Sequence, residues 1–473
     1  MNQSVHEYVP QVLAQAISAW RSLGFLRKKT KRSTMFAFGD QWGDPIYVLD
    51  DNGIPRESIS EAEFIYRQRR TPLKNNLIRP VIKNIEGQFR SLPNTIRCSV
   101  NASCPEAESL RQIANDTLND LLRDNQVDEL DPAALQNLFL SGFCAQRIET
   151  GFNPVLQKQG VWIRNCNPSK IFFNRNQNDV RGWDISLIGE IFDLPLPHIL
   201  DTFSTSPQDA NRILSYFLPF NDPYAPPGIP LSERYGRIYY VWKQELRPSE
   251  ETGRYEPVWI FRYLTPHGYV LEQGPSPFPH RSHNYEIAFY TLVNDEPCNF
   301  VEDLIDVQKV LNRTLTEVNA RLSASLKGLK IYDDQMFPGI SPEELADLAI
   351  RTNGLLPASL LPGSSIRDSI IQCDANVNMS NDFQLIQSQI QLIHDVSGVS
   401  DALQGKSPSA GTSASLYAQE SFNASYNIRG FLDTFRAFSL RRSRKALQEA
   451  LPHSSFNTPS FPVSLSFQEN TSH

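Results

Sequence analysis

The sequence predicts an α+β fold, and three observations support this prediction. Between residues 146 and 290, short runs of aromatic and β-branched residues alternate with turn residues, a pattern typical of strands. Residues 71–125 and 132–144 instead carry apolar residues at helical spacing. Two later stretches, 301–326 and 380–396, repeat apolar residues every three or four positions and predict long helices. A chain of 473 residues can form more than one hydrophobic core.

The N-terminal segment predicts a short amphipathic helix that ends in a basic run. Six apolar residues lie at helical spacing, namely Val9, Val12, Leu13, Ala16, Ile17 and Trp20. Residues 27–32 then read Arg-Lys-Lys-Thr-Lys-Arg. This run predicts either a solvated turn or a contact with an acidic partner surface or DNA.

The central body is predicted to be built mainly of short strands. The five candidate strands cover residues 160–164, 185–191, 237–245, 258–264 and 269–271. Prolines within residues 223–230 and 275–279 indicate surface loops between these strands.

A long helix, a compact insert and a second long helix follow. Residues 301–326 have a nearly heptad pattern, and a helix of this length spans about 39 Å. Residues 327–374 predict a small insert with a strand at 329–332. The second helix has Gly398 placed to end it.

A stretch of small and polar residues, 397–413, separates the second long helix from a third helical pattern. Its backbone groups need water or a ligand, so we expect it to lie on a surface or line a lumen. The tail after residue 452 alternates Phe461, Val463, Leu465 and Phe467, which predicts a single strand or a loosely held arm.

Several short motifs occur in a recognisable order. Residues 38–42 read Phe-Gly-Asp-Gln-Trp, residues 71–78 read Thr-Pro-Leu-Lys-Asn-Asn-Leu-Ile, and residues 167–174 read Asn-Pro-Ser-Lys-Ile-Phe-Phe-Asn. Residues 300–308 read Phe-Val-Glu-Asp-Leu-Ile-Asp-Val-Gln, with Asn312 one turn later. The order of these motifs, together with the small-residue stretch after the second long helix, resembles that of the portal proteins of tailed bacteriophages.

The resemblance implies a portal fold with an α/β wing, a two-helix stem, a small α/β clip, a tunnel loop and a long tunnel helix. The implied regions are an N-terminal helical and basic segment (1–34), wing (35–299), first stem helix (300–326), clip (327–375), second stem helix (376–396), tunnel loop (397–413), tunnel-loop helix (414–447) and a short crown or C-terminal arm (448–473). We expect the two stem helices to pack as an antiparallel pair through Leu315 or Leu322 and Phe383 or Ile386.

The resemblance also implies the function. Portal subunits form a ring, by family analogy dodecameric, at one capsid vertex of the virion, and the ring conducts double-stranded DNA during packaging and ejection. The implied partners are further copies of the chain, DNA, the terminase large subunit, the tail adaptor, and the major capsid and scaffold proteins. No enzyme activity and no cofactor are expected, and assembly would take place in the host cytoplasm. The alternatives are another ring or adaptor protein of the virion, and a DNA-processing nuclease.

Three sets of residues are candidates for these roles. The tunnel-loop set is Gly398, Ser400, Gln404, Gly405, Lys406, Ser407, Ser409, Gly411 and Thr412. The stem set, expected to contact neighbouring subunits, is Leu304, Gln308, Leu311, Leu315, Phe383, Ile386 and Ile390. The third set is a candidate basic ring of Arg436, Arg441, Arg442, Arg444 and Lys445, whose alternative role is to complement the helix dipole.

Gln308 and Asn312 leave two interpretations open. They are one turn apart, and we expect them on the face opposite Leu304 and Leu311. Their amides would either bond to a neighbouring helix or form a solvent-facing polar stripe.

Net charge and cysteine content restrict the class of protein further. The formal net charge is −7 and the pI is near 5.7, which disfavours tight DNA binding but suits a channel that lets DNA slide. The six cysteines have neither CxxC nor metal-ligand spacing and predict free thiols. No signal peptide and no membrane span are predicted.

No catalytic, cofactor or metal site is predicted. Gly405-Lys406-Ser407 resembles the end of a phosphate-binding loop, but Ser400 stands where that loop requires glycine. His394 and Asp395 fit a helix-end pair better than an acid/base pair, and His280 and His283 have no further metal ligands at suitable spacing.

Overall fold

The computed structural model describes residues 7–49, 55–92, 95–100, 105–174, 178–217, 234–248, 254–327, 329–332, 341, 370–373, 380–399, 414–451 and 463–467. The chain forms two compact units. The first comprises Met1–Gly39, Leu77–Ile305 and His394–His473, and the second comprises Asp40–Asn76 and Asp306–Ile393. Helices and strands are mixed throughout, which confirms the α+β class.

The helices of the first unit precede, interrupt and follow its sheets. They are α1 (Pro10–Ser22), α2 (Gly24–Phe38), α4 (Ile78–Ser91), α5 (Pro105–Asp124), α6 (Val127–Ser141), α7 (Leu196–Phe203), α8 (Pro207–Phe217) and α11 (Ala414–Ala450). The short helix α3 (Glu61–Arg67) belongs to the second unit, as do most residues of α9 (Glu302–Lys327) and α10 (Ser380–Ser397).

Two antiparallel sheets form the body of the first unit. The larger has the order β10-β9-β8-β7-β6, from strands β6 (Ile171–Phe173), β7 (Leu187–Pro195), β8 (Tyr235–Pro248), β9 (Tyr255–Leu264) and β10 (Val270–Pro275). The smaller has the order β11-β4-β5, from β4 (Phe143–Asn153), β5 (Lys158–Asn165) and β11 (Tyr285–Phe289). A short hairpin of β12 (Leu292–Val293) and β13 (Glu296–Pro297) follows.

The largest apolar core lies between these sheets and α1. Strand β11 and the first half of β4 are buried at every residue, and Phe143 of β4, Trp242 of β8 and Phe289 of β11 are almost fully buried. Val12 and Ala16 of α1 cover the same core. At about 25 cal/mol per Å² of buried apolar surface, aromatic side chains of this size are the main source of its stability.

Helix α6 ends where β4 begins, and a glycine makes the turn. Gly142 has φ +78°, a left-handed conformation that side chains other than glycine disfavour. A Cβ at this position would lie 2.5 Å from the carbonyl oxygen of Cys298. The helix therefore stops at this residue, and the strand starts one residue later.

The C-terminal strand returns to the N-terminal part of the first unit. Strand β16 (Val463–Phe467) pairs antiparallel with β3 (Ile96–Val100), with Leu465 opposite Cys98. Leu465 packs on the small core formed by β3, α5 and Leu447 of α11. The alternating tail thus forms the single strand that its pattern predicts.

The second unit is built around α9. It contains the hairpin β1 (Pro45–Leu49) and β2 (Pro55–Ser60), then α3, whose N-terminus is capped by Ser60 Oγ accepting from the Glu63 amide. Strands β14 (Leu329–Tyr332) and β15 (Ile370–Cys373) pair antiparallel and connect α9 with α10.

Several elements differ from the sequence prediction. The basic run at 27–32 lies within α2, where Arg27 stacks on Trp20 at 3.7 Å, so it is not a turn. The helical spacing over residues 71–125 is interrupted by β3, and the helix predicted to reach residue 144 ends at Ser141 because Gly142 breaks it. Residues 40–76 group with α9 in the second unit, and the domain bounds implied by the resemblance stay a prediction.

Candidate functional site

Helix α9 presents a ladder of polar side chains to an extended segment of the chain. Thr316 Oγ1 accepts from the amide of Leu73 at 3.0 Å, and Asn312 Oδ1 accepts from the amide of Asn75 at 3.1 Å. Gln308 Nε2 donates to the carbonyl of Asn75 at 2.7 Å. Three successive turns of one helix face therefore bind the backbone of two residues, Leu73 and Asn75, because the three side chains are four residues apart.

A second glutamine completes this network. Asn312 Nδ2 donates to Gln41 Oε1 at 2.7 Å, and Gln308 Nε2 also donates to Asn312 Oδ1 at 3.0 Å. The exposed fraction is 0% for Gln308 and 1% for Asn312. The two amides do not face solvent, and they contact residues 41 and 75 of the second unit, while the predicted bond to a neighbouring helix stays a prediction. They are not opposite Leu304 and Leu311 as predicted, because Leu304 and Gln308 are four residues apart and all four side chains are buried. Buried amides left without such partners would destabilise the fold.

Ion pairs surround the network on the same helix. Lys309 Nζ lies 2.7 Å from Asp44 Oδ2 and 3.6 Å from Glu61 Oε2. Arg313 Nε donates to Glu61 Oε1 at 2.5 Å, and Glu61 is 3% exposed. The Arg70 guanidinium pairs with Glu317. These contacts hold the hairpin, α3 and the extended segment on α9.

Three motifs that are separated in sequence therefore meet in one place. Gln41 belongs to the first motif, Asn75 to the second, and Gln308 and Asn312 to the fourth. Sequence reasoning identified these motifs but not their mutual contacts. Asp44 and Glu61 were missed altogether, because isolated carboxylates on a hairpin and a short helix carry no distinctive spacing.

Helices α9 and α10 are linked by an ion pair near one end. Arg321 Nη1 of α9 donates to Asp382 Oδ2 of α10 at 2.8 Å. The strands β14 and β15 that connect the two helices run antiparallel. The predicted apolar pairing of Leu315 or Leu322 with Phe383 or Ile386 stays a prediction.

The stem set divides into buried and accessible residues. Leu304, Gln308 and Leu311 each have an exposed fraction of 0%, so they leave no surface for a neighbouring subunit and the expected contact is wrong for these three. Leu315, Ile386 and Ile390 are partly exposed, and Phe383 is 55% exposed. Leu385 and Leu392, which the prediction omitted, are 41% and 42% exposed and lie seven residues apart.

Helix α10 ends at a glycine, as predicted. Gly398 has φ +67°, the conformation typical of helix C-termini. Ser397 Oγ accepts from the amide of Val399 at 3.2 Å, and Val399 is fully buried. The other tunnel-loop candidates, Ser400, Gln404, Gly405, Lys406, Ser407, Ser409, Gly411 and Thr412, lie outside the described residues.

The candidate basic ring contains one fully buried residue and two that bond to strand β11 of the same chain. Arg442 is fully buried, and its Nη1 donates to Asp131 Oδ1 at 2.6 Å and to Gln146 Oε1 at 3.1 Å. Arg441 Nε donates to Glu286 Oε1 at 2.6 Å. Lys445 Nζ donates to the Tyr285 carbonyl at 2.6 Å, and burial lowers the pKa of Lys445.

The ring expectation is therefore wrong for Arg442, because α11 packs this fully buried cation against α6 and β4 of its own chain. Arg441 and Lys445 contact β11 but stay partly exposed, so their place in a ring stays a prediction. Arg444 is exposed and Arg436 is partly buried.

The candidate histidines contact other side chains of the fold, and the described cysteines are free thiols. His280 Nε2 lies 3.3 Å from Glu449 Oε1, and His283 packs edge-on against Trp259 with its ring centroid 4.7 Å away. Cys98, Cys144, Cys166 and Cys298 are free thiols, and burial raises the pKa of Cys98 to about 11. Within the described ranges, no group of three or more histidine, cysteine or acidic side chains could hold a metal ion. No helix in those ranges is long and apolar enough to cross a membrane.

Comparison with known proteins gives a family match over part of the chain. No curated protein matches the chain. The family model of the phage P22-like portal proteins matches residues 232–453, a span that begins just before β8 and runs through α9, α10 and α11. Portal proteins are structural components of the phage capsid and not enzymes. This match supports a phage portal protein. It contains the motif at residues 300–308, whereas the motifs at 38–42, 71–78 and 167–174 lie outside the matched span.

Proposed function

We propose that this chain is the ring-forming portal subunit at one capsid vertex, and that the ring, by family analogy dodecameric, conducts double-stranded DNA during packaging and ejection. The observation that carries the proposal is the match to the portal family over residues 232–453. The matched span contains the two long helices and the strand pair between them, which correspond to the proposed stem and the base of the clip.

The accessible apolar residues of α10 support ring formation. Leu385 and Leu392 lie on one helix face, since seven residues make two turns. Both are more than 40% exposed in the single chain. Apolar residues repeated at this spacing are typical of helices that pack against a partner helix. A neighbouring copy of the same chain is the proposed partner, because a ring presents the same helix at every interface.

The remaining roles follow from the family. The clip, residues 327–375, is proposed to bind the terminase large subunit and later the tail adaptor, and residues 35–299 to face the major capsid and scaffold proteins. The acidic net charge of −7 supports passage of DNA without tight binding. The proposed tunnel loop, residues 397–413, is rich in glycine and in neutral polar side chains.

Electron microscopy of the purified protein tests the proposal, with capsid and scaffold proteins added where the chain alone stays monomeric. We expect rings with an axial channel wide enough for duplex DNA. The double variant Leu385→Glu and Leu392→Glu should lose rings, because each ring interface would then bury unpaired carboxylates.

The control is Gln387→Glu, which adds one carboxylate, half of the charge of the double variant, at an exposed position on another face of α10. A monomeric wild type in the presence of its partners contradicts ring formation. Rings that tolerate the double variant as well as the control contradict the assigned helix face.

A further inference from the structure

Helices α1 and α2 concentrate positive charge in a chain that is acidic overall. Residues 8–39 contain six basic residues and no acidic one, whereas the whole chain has 45 basic and 52 acidic residues. Lys29 Nζ lies 3.1 Å from Glu302 Oε2. In contrast, Lys28 and Lys31 are exposed and form no ion pair among the described residues. Their charges are therefore available to a partner.

The same face of α2 carries exposed apolar side chains. Phe25 is 58% exposed and Met35 is 39% exposed. At 3.6 residues per turn, positions 25, 28, 31 and 35 fall within about one third of the helix circumference. We call the surface formed by Phe25, Lys28, Lys31 and Met35 the basic face. Its mixture of apolar and charged side chains is suited to a protein partner, because protein interfaces combine an apolar core with a polar rim.

The junction of α5 and α6 has the opposite charge. Residues 108–131 contain seven acidic and two basic residues. Three of these acidic side chains are exposed and form no ion pair among the described residues, namely Asp116, Asp128 and Glu129. We call these three residues the acidic face.

An open cavity of about 760 Å³ adjoins the acidic face. The two α6 carboxylates of that face line it together with apolar residues of α4 and α5. Three arginines line it as well, but Arg123 pairs with Asp120 at 2.7 Å and Arg442 pairs with Asp131 at 2.6 Å. Only Arg90 stands against the three carboxylates of the acidic face without an ion pair in the described ranges, so this surface stays negative.

The two faces lie near opposite ends of α6. Ser33 of α2 donates to Asn299 Oδ1 at 3.3 Å. The preceding residue is Cys298, whose carbonyl oxygen would lie 2.5 Å from a Cβ on Gly142, the residue that ends α6. The middle of α2 is therefore beside the C-terminal end of α6, whereas the acidic face includes its first turn. Because 15 helical residues span about 22 Å and the Debye length is about 8 Å, the two faces are too far apart to pair within one chain.

We propose that the basic face of one copy binds the acidic face of the next copy around the ring. The inference rests on the proposed function and adds the surfaces that join its subunits. A ring contact is heterologous, so every chain must carry two different and complementary patches. The two faces meet this requirement, and their attraction acts at short range, where the overall charge of −7 on each chain is largely screened. A second copy fits better than DNA, because phosphate groups offer no apolar surface to Phe25 and Met35.

Charge reversal on each face tests this contact in the full-length protein, with capsid and scaffold proteins added where the chain alone stays monomeric. The reversed basic face is Lys28→Glu with Lys31→Glu, and the reversed acidic face is Asp116→Lys with Glu129→Lys. Each reversal alone should weaken association between copies about tenfold or more in analytical ultracentrifugation, because like charges then meet. A chain with all four substitutions has the wild-type net charge and should recover association, because its two faces are complementary again.

The control is Arg69→Glu with Arg281→Glu. Both arginines are exposed and outside the two faces, and the control changes the net charge by the same amount as the reversed basic face. We expect the control to associate like the wild type, with every variant folded by circular dichroism. A further measurement needs no variant, since association of the wild type should weaken between 0.1 and 1 M salt as the Debye length falls from about 10 to about 3 Å.

Three results overturn the inference and leave the ring in place. They are a reversed basic face that forms rings as well as the control does, a folded chain with all four substitutions that recovers no association, and ring formation that salt does not weaken. Rings that survive reversal of the basic face but no longer bind a short DNA duplex would assign this face to DNA.

The ring and the contact can fail separately. If wild-type copies form open chains that the reversed basic face disperses, the inference holds and the ring is wrong, because a heterologous contact that does not close produces filaments. A wild type that stays monomeric with its partners refutes both.

Discussion

Replacement of Arg442 provides the sharpest test of how α11 is held in the first unit. The Arg442 guanidinium is fully buried and bonds Asp131 and Gln146, so Arg442→Met leaves the Asp131 carboxylate buried without its cation. Removing one partner of a buried pair costs about 3–5 kcal/mol. In contrast, Arg444→Met on the same helix alters an exposed side chain and should change stability by about 0.5 kcal/mol or less.

The assay is urea unfolding of both variants and of the wild type, followed by tryptophan fluorescence and circular dichroism. Arg442→Met should unfold at clearly lower urea concentration, and Arg444→Met at nearly the wild-type concentration. The double variant Arg442→Met with Asp131→Asn should recover part of the loss, because no uncompensated charge remains in the core. Equal stability of Arg442→Met and Arg444→Met would refute the structural role of Arg442 and reopen a role in the channel.

Three further predictions concern other parts of the chain. Asn312→Ala removes the partner of both Gln41 and the Asn75 amide, so it should lower the free energy of unfolding by about 1–3 kcal/mol and speed hydrogen exchange in residues 73–76. Asn319→Ala, at a partly exposed position of α9, is the control and should produce neither effect. Burial, followed by the charge of Lys445, lowers the pKa of His283 well below its usual 6.5. Only the unfolded chain therefore binds a proton there, so stability falls as pH drops below 6.5, by up to about 1.4 kcal/mol per pH unit. His283→Asn should flatten this part of the pH dependence of unfolding. If the free energy of unfolding of the variant changes with pH as steeply as that of the wild type between pH 6.5 and 5.5, His283 is not the group responsible. Deleting residues 403–410 should leave ring assembly intact and impair DNA packaging, and the opposite pattern would make this segment a subunit contact.

Patterns within short stretches of sequence determined several local elements and suggested the family. Apolar residues at three- and four-residue spacing predicted helices over 301–326 and 380–396, and the helices lie at Glu302–Lys327 and Ser380–Ser397. The strand predicted at residues 329–332 is β14. Gly398 ended the helix as expected, because a left-handed residue at a helix C-terminus is a local property of the backbone. The order of the motifs was sufficient to suggest the portal family, which the family match supports.

The tertiary structure alone decided which polar residues are available for function. Arg442 and Arg444 are two residues apart in one basic cluster, yet one is fully buried and the other is exposed. The difference arises from Asp131, more than 300 residues away, and no local pattern encodes such a partner. In the same way, Gln308 and Asn312 bind residues 75 and 41, which helix periodicity cannot reveal. Spacing along the chain fixes which face a side chain occupies, but the partner on that face depends on how distant segments pack.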